Sequence, residues 1–305
     1  MIDADFSKAQ AAVLDRYAIK AEEVWIKAPI VGGQAHILVT GEGPPVVMLN
    51  GIGTPAAMWA PLMTRLDGVR QYAVDLPGYG LTDISPNFAG DLPANAVRFV
   101  TEVLDGLGLN RPVVVANSLG SLWASRLAID QPDRIAALVH LGCPAIVFET
   151  SAPLPMRLLS VRPLGRVMMK LQPPSERQVE QLAKLVHEHP LPPEIAQLIL
   201  ATERLKHFQD TFLAMLNRLV RLRGNRPELA LTADQLGRIQ APTLLVFADH
   251  DPMGAAPIGR RMAGAMVDAE LHIVEGGHAP WLHHAEQIAP LLTAFLQRVS
   301  PQASS

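Results

Sequence analysis

Three residues of the types needed for nucleophilic acyl chemistry occur in the order Ser118, Asp251, His278, each just past a short apolar run. Ser118 lies in VVVANSLGSLWA, where β-branched residues pass directly into a helical pattern without a conventional loop. Asp251 follows a strand-like run in LLVFADHDPMG, and His278 follows another in LHIVEGGHAPWLHHAEQ. A serine hydroxyl is a poor nucleophile until a histidine takes its proton and a carboxylate fixes that histidine's tautomer. Each residue also has an ordinary reading: a helix N-cap for Ser118, a turn aspartate before Pro252, a loop histidine. Their common position, past the carboxyl ends of strands, would bring them to one edge of a parallel sheet, where open α/β proteins bind ligands. Asp249 competes with Asp251, and His283 and His284 compete with His278.

To bring these residues together, the chain must carry several strands side by side. EEVWIKA from Glu22 and GQAHILVT from Gly33 alternate with period two and suit an antiparallel edge hairpin. PVVML (45–49), QYAVDL (71–76), PVVVAN (112–117), IAALVHLG (135–142) and PTLLVFA (242–248) are almost continuously apolar, as strands covered on both faces must be. ELHIVEG from Glu270 adds one more. Helical patterns lie between them, such as Val97, Val100, Leu104 and Leu107 after a cap region around Asp91. The alternation predicts an α/β fold, a mainly parallel eight-stranded sheet with helices on both faces.

The alternation lapses once, from 146 to 237, where no strand-like run occurs and apolar residues such as Leu205, Phe208, Phe212, Met215, Leu216 and Leu219 follow a helical stripe. Prolines from Pro153 to Pro193 divide this segment into short helices. The run at 242–248 resumes the sheet, so 146–237 reads as an insertion between core segments 1–145 and 238–305. It is either an ordinary helical subdomain or a lid over the site. No internal repeat occurs, and low complexity is confined to the SPQASS tail.

Composition narrows the partners. The chain has 305 residues, 49% hydrophobic and 18% charged, with a net charge of −3. Its Lys and Arg residues read as scattered, so no nucleic-acid partner is expected. Cys143 is the only cysteine, which excludes an intramolecular disulfide and favours a reducing compartment. The N-terminus lacks the apolar segment of a secretion signal, so the cytoplasm is expected. PPVVMLNGIGTPAAMWAPLM approaches spanning length but is broken by proline and glycine, so no membrane span is expected. No metal is expected: His187 and His189 are poorly spaced for shared ligation, and no His-Glu-x-x-His motif occurs. No glycine fingerprint follows a strand, so no cofactor is expected. A small-molecule substrate is, and a homodimer is left open.

These residues resemble the α/β-hydrolase fold family over nearly the whole chain. A turn as tight as the family's nucleophile elbow needs small residues two before and two after the serine, here Ala116 and Gly120, with alanine in place of the usual glycine. VDLPGYGLTD, through Asp75, Gly78 and Gly80, resembles the family's Asp-x-x-Gly-x-Gly turn, and LNGIGTPAAMW its oxyanion loop. GGHAP followed by Glu286 resembles the catalytic histidine segment, and the insertion falls where the family carries its cap. The resemblance implies Ser118, Asp251 and His278 as catalytic residues. It implies the backbone N–H groups of Ile52 and Leu119 as oxyanion donors, with Gly51, Asn117 and Gly120 in support. It favours Asp251 over Asp249, and His278 over its competitors because Gly276 and Gly277 precede it. The chain departs from the family at Asn50, where histidine is frequent, and at Ala248, where glycine is common.

The implied activity is hydrolysis of an ester or similar carbonyl substrate, small to medium and apolar, through an acyl-enzyme. Carbon–carbon bond hydrolases of the same fold share an Asn-Ser elbow, and Arg157, Arg162 or Arg166 could hold their substrate carboxylate, although a solvated surface arginine is the more ordinary reading; Ala279 stands where they usually carry tryptophan. Cofactor-free peroxidase or acyltransfer chemistry uses the same parts. A non-catalytic ligand receptor is the alternative from another class.

Overall fold

The computed structural model describes residues 3–299, so the SPQASS tail lies outside the described residues. After helix α1 (Ala4–Arg16) come strands β1 (Glu22–Ala28), β2 (Gly33–Thr40) and β3 (Pro45–Leu49), helix α2 (Ala60–Met63) and strand β4 (Arg70–Val74). Then follow α3 (Leu92–Gly106), β5 (Val113–Ala116), α4 (Ser118–Asp130) and β6 (Ala137–Leu141). The next helices are α5 (Leu154–Leu159), α6 (Arg162–Leu171), α7 (Glu176–Leu185), α8 (Pro193–Glu203) and α9 (Phe208–Leu219). Two short strands, β7 (Val220–Arg221) and β8 (Gly224–Asn225), precede α10 (Ala233–Leu236). The chain closes with β9 (Thr243–Ala248), α11 (Ala256–Ala265), β10 (Ala269–Val274) and α12 (Trp281–Val299).

Eight strands form one sheet in the order β1-β2-β4-β3-β5-β6-β9-β10. Only β2 runs antiparallel to its neighbours, so the early hairpin forms one edge. The continuous apolar runs are explained by two cores, one on each face. Val47, Leu49, Val114 and Ala116 point into the core under α3 and α4. Val46, Met48, Val113 and Val115 point to the opposite face, where Trp59, just before α2, stacks on Trp281 of α12 at 4.2 Å. Proline sets helix starts as its missing N–H permits: Pro155, Pro163 and Pro193 lie in the first turns of α5, α6 and α8.

Two local expectations are corrected. The segment from 146 to 237 contains strand structure after all, the β7–β8 hairpin and a bridge between Val147 and Leu231. Pairs of two residues around Gly224, at φ +132°, are too short to leave a period in the sequence. Leu205 precedes α9 and is not on its stripe. Helix α8 packs against the N-terminal α1, which ties this segment to the start of the chain.

Candidate active site

Ser118 is the first residue of α4 and adopts φ +50°, a left-handed conformation rare for a residue with a Cβ. The elbow is enforced from both sides. Asn117 N–H donates to the Leu49 carbonyl and Gly120 N–H to the Asn50 carbonyl, both at 2.9 Å. A Cβ on Gly120 would collide with the Leu49 carbonyl oxygen, so the strand-to-helix crossing requires glycine there. Ala116 is fully buried, and its methyl is tolerated where the family has glycine.

The loop after β3 lies against the serine. A Cβ on Gly51 would stand 3.2 Å from Ser118 Cβ and 3.7 Å from its Oγ. Asn50, the departure from the family pattern, turns inward and donates from Nδ2 to the Pro55 carbonyl, closing the loop on itself. Buried Asp75 braces the same loop by accepting the Ala56 N–H at 2.6 Å, while also accepting Leu81 N–H at 2.8 Å and contacting His36 Nδ1 at 2.7 Å. The Asp-x-x-Gly-x-Gly turn is thus a structural brace, with no room at Gly80 for a side chain beside the Asp75 carboxylate. Among the described residues the N–H groups of Ile52 and Leu119 meet no acceptor.

Asp251 and His278 are in contact. His278 Nδ1 lies 3.0 Å from each carboxylate oxygen of Asp251. The carboxylate is itself fixed, accepting Cys143 N–H at 2.9 Å and Met253 N–H at 2.8 Å. Asp249 is exposed and instead accepts the Gly276 N–H at 3.2 Å and contacts His250. His283 and His284 do not reach Asp251: His283 Nε2 lies 3.0 Å from the Glu188 carbonyl oxygen, and His284 packs beside Gly276. His278 Nε2 is buried without a hydrogen-bond partner, so Ser118 and His278 are not hydrogen-bonded. Such bonds are commonly long before substrate binds.

Burial lowers the affinity of the His278 ring for a proton, but the charge of Asp251, its hydrogen bond and the charge of Glu188 together outweigh it, holding the ring above the ordinary histidine range. Asn117 completes the support by donating from Nδ2 to the His278 carbonyl at 2.9 Å and to the Leu141 carbonyl at 2.6 Å.

Three residues escaped the sequence reading. Gly142, at φ +78°, leaves no room for a side chain between the His278 carbonyl and Asn117; a lone glycine after a strand carries no such signal. Glu188 is buried, accepts Ala279 N–H at 2.8 Å and is pushed up to about 7 by burial, against the hydrogen bonds it accepts from Ala279 and Gly277. Glu203, at the end of α8, is also pushed up to about 7 by burial, and one of its oxygens has no partner. Both carboxylates come from the helical segment, whose three-dimensional neighbours the sequence does not announce.

Ser118, His278, Gly51 and Ile52 open into a cavity of about 410 Å³, walled by Met156, Met168, Met169, Phe208, Phe212 and Leu216. Beyond Ser118 and His278, its polar side chains are Thr54, Asn117, Glu188, Glu203 and three glutamines, and among the described residues no Arg or Lys lines it. Arg157 donates to the Leu222 carbonyl, while Arg162 and Arg166 border a different cavity with Asp210. None of the three arginines considered for a substrate carboxylate lines the cavity that contains Ser118, in keeping with their ordinary reading as surface residues. Met215 also lines that other cavity and not this one.

Similarity to known proteins agrees with this architecture. The chain is 27% identical over 270 residues to a 2-hydroxy-6-oxononadienedioate/2-hydroxy-6-oxononatrienedioate hydrolase of Klebsiella pneumoniae, covering 86% of this chain and 91% of that protein. It is 29% identical over 280 residues to a pimeloyl-(acyl-carrier protein) methyl ester esterase of a Shewanella species, covering 86% and 94%. A carboxylesterase of Bacillus subtilis superposes with a TM-score of 0.76 at 22% identity, covering 95% of this chain and 96% of that one. The model of the alpha/beta hydrolase family matches residues 46–291, most of the chain and every element that carries the site; the chain belongs to the alpha/beta hydrolase family.

Proposed function

We propose that the chain is a serine hydrolase that cleaves an ester of an uncharged, apolar acid of small to medium size through an acyl-enzyme. The observation that carries this reading is the Asp251–His278 pair beside an apolar cavity that contains Ser118 and no cationic side chain. His278 takes the Ser118 proton as Oγ attacks the carbonyl carbon, then returns it to the departing alkoxide. Asp251 keeps the ring in the tautomer with hydrogen on Nδ1 and stabilises the imidazolium. The N–H groups of Ile52 and Leu119, with the positive end of α4 behind the latter, receive the oxyanion; removing one such donor costs about 10²–10³ in rate. Water activated by His278 then releases the acid. Residues 146–237 act as a helical cap that shields this chemistry from bulk water.

Cleavage of a carbon–carbon bond is the second reading, favoured by the Asn117-Ser118 elbow and by the relative named for a dioate substrate. A dioate in this cavity would meet Glu188 and Glu203 with no cation to offset them, which argues against it. The buried, solitary Cys143 agrees with action in the cytoplasm.

A series of p-nitrophenyl esters tests the reading. Each CH₂ buried in an apolar pocket contributes about 0.8 kcal/mol, so kcat/KM should climb with acyl length from acetate until the cavity is full and then fall. A flat profile, or a preference for an anionic acyl group, would overturn it in favour of the carbon–carbon hydrolase.

A further inference from the structure

The outer surface of the helical segment has a character the sequence reading missed. Residues 150–174 contain Arg157, Arg162, Arg166 and Lys170 and no Asp or Glu, in a chain whose net charge is −3. The basic residues are therefore not scattered. Interleaved with them, Leu154, Val167 and Leu171 are 57%, 54% and 76% exposed, and Leu164 is exposed as well. Along α6, Leu164, Val167 and Leu171 recur at helical spacing beside Arg162, Arg166 and Lys170, so one solvent-facing surface carries both leucine-type side chains and cations.

The patch continues past α6. Helix α5 packs against both α6 and the β7–β8 hairpin, and Arg157 Nε donates to the Leu222 carbonyl at 2.9 Å. That places the hairpin tip, exposed Arg221, Leu222 and Arg223, next to the helices with the same pattern of cation, apolar residue, cation. The nearest counter-charge within the patch is Asp210, 4.0 Å from Arg166, with both side chains largely in solvent. The inward sides of α5 and α6 supply Met156, Leu159, Met168 and Met169 to the wall of the Ser118 cavity.

We propose that α5, α6 and the β7–β8 hairpin tip form a docking surface for an anionic lipid bilayer, so that the wall of the substrate cavity rests on the membrane. Charge complementarity selects the anionic headgroups, since clustered Lys and Arg are drawn to a negatively charged leaflet. The exposed apolar side chains select lipid over nucleic acid or a purely acidic surface, because only a bilayer offers an apolar layer beneath its charge. Among the described residues no helix is long and apolar enough to cross a membrane, so the association is peripheral and reversible. An apolar ester dissolved in the bilayer would then lie next to the cavity wall. Docking does not depend on the ester reading, because binding is read without turnover.

The test is co-sedimentation of the full chain with vesicles of phosphatidylcholine alone and of phosphatidylcholine mixed with phosphatidylglycerol. Binding should be confined to the mixed vesicles and weaken with salt. Arg166→Glu with Lys170→Glu should reduce it at least about tenfold, and Val167→Ser with Leu171→Ser should also reduce it severalfold. Both double variants should keep the wild-type melting temperature and turnover of a water-soluble aryl ester, since none of the four residues touches the Ser118 cavity. Absence of binding to the mixed vesicles would overturn the proposal. So would loss on the charge variant alone, which would indicate adsorption by charge without burial of the apolar side chains, or a dimer in solution that the Val167→Ser, Leu171→Ser variant dissociates, which would indicate a self-association face.

Discussion

Glu188 reaches from the helical segment and accepts the N–H of Ala279 at 2.8 Å, so a carboxylate of that segment is bonded to the residue that follows His278. The contact is not isolated. His278 N–H donates to the Val186 carbonyl at 2.9 Å, and a Cβ on Gly277 would collide with that same carbonyl oxygen. The turn that presents the histidine is held by Asn117 on one side and by residues 186–188 of the helical segment on the other. The position of the helical segment and the aim of the His278 ring are therefore one structural fact.

A positioning role for Glu188 has a specific kinetic signature. Glu188→Ala removes the acceptor for two backbone donors, and hydrogen bonds to a charged group contribute about 1.5–3 kcal/mol each. If much of that loss appears as misalignment of His278, kcat should fall about ten- to a hundredfold with KM for a small aryl ester little changed. Glu188→Gln keeps an acceptor oxygen and should recover most of kcat. Equal losses in both variants, or a change in KM alone, would show that Glu188 contacts substrate instead.

The pH profile follows from the same groups. The base must be neutral to take the Ser118 proton, and the ring is held above the ordinary histidine range, so kcat/KM should rise with pH through an apparent pKa above 6.5 and then level. Lowering pH protonates His278 and removes activity. The charged and titratable groups facing the ring are Asp251 and Glu188, with His283 3.8 Å beyond the Glu188 carboxylate. Since the Glu188 charge raises the ring, Glu188→Gln should move the acidic limb to lower pH, whereas a role confined to backbone support would leave it in place.

Ser118→Ala and His278→Ala should each abolish most turnover with the fold intact, because groups that act as a unit fail together. Asp251→Asn should cost far more than Asp249→Asn. Only Asp251 lies at 3.0 Å from His278 Nδ1; Asp249 serves the Gly276 N–H and the exposed His250. Steady-state kinetics alongside circular dichroism checks all four variants, and the reverse ranking of the aspartates would reassign the acid.

What the sequence disclosed was local, or recurred along the chain. Runs such as Val113–Val115 announce strands covered on both faces, and the elbow around Ser118 is legible because only small residues fit at 116 and 120. The order of Ser118, Asp251 and His278 past strand ends was legible for the same reason. Glu188, Glu203 and Gly142 were not, since their meaning lies in neighbours such as Ala279 that are distant in the chain. The basic and apolar face of α6 was overlooked because whole-chain charge averages it away. The three arginines could be weighed only from type and segment, with a solvated surface position the more ordinary reading, because helix orientation is set by tertiary packing.

Glu203 offers a test of stability that is independent of catalysis. Its carboxyl sits at the end of α8 with one oxygen unpartnered, and burial alone raises it from 4.5 to about 7. Below pH 4.5 the group is neutral in both folded and unfolded chains and imposes no ionisation cost. As pH rises, the unfolded chain ionises first while the folded one holds its proton, so the unfolded state is favoured progressively between 4.5 and about 7. Above about pH 7 the cost is complete, on the order of 3 to 4 kcal/mol at most, because each tenfold difference in proton affinity between the folded and unfolded chains is worth about 1.4 kcal/mol. Glu203→Gln removes the titration while keeping the shape. Its melting temperature should therefore exceed that of the wild type by several degrees at about pH 8, with the gap closing near pH 4.5. The same gap at both values would mean that the carboxyl is hydrated in the cavity and that its burial is not what the folded chain works against.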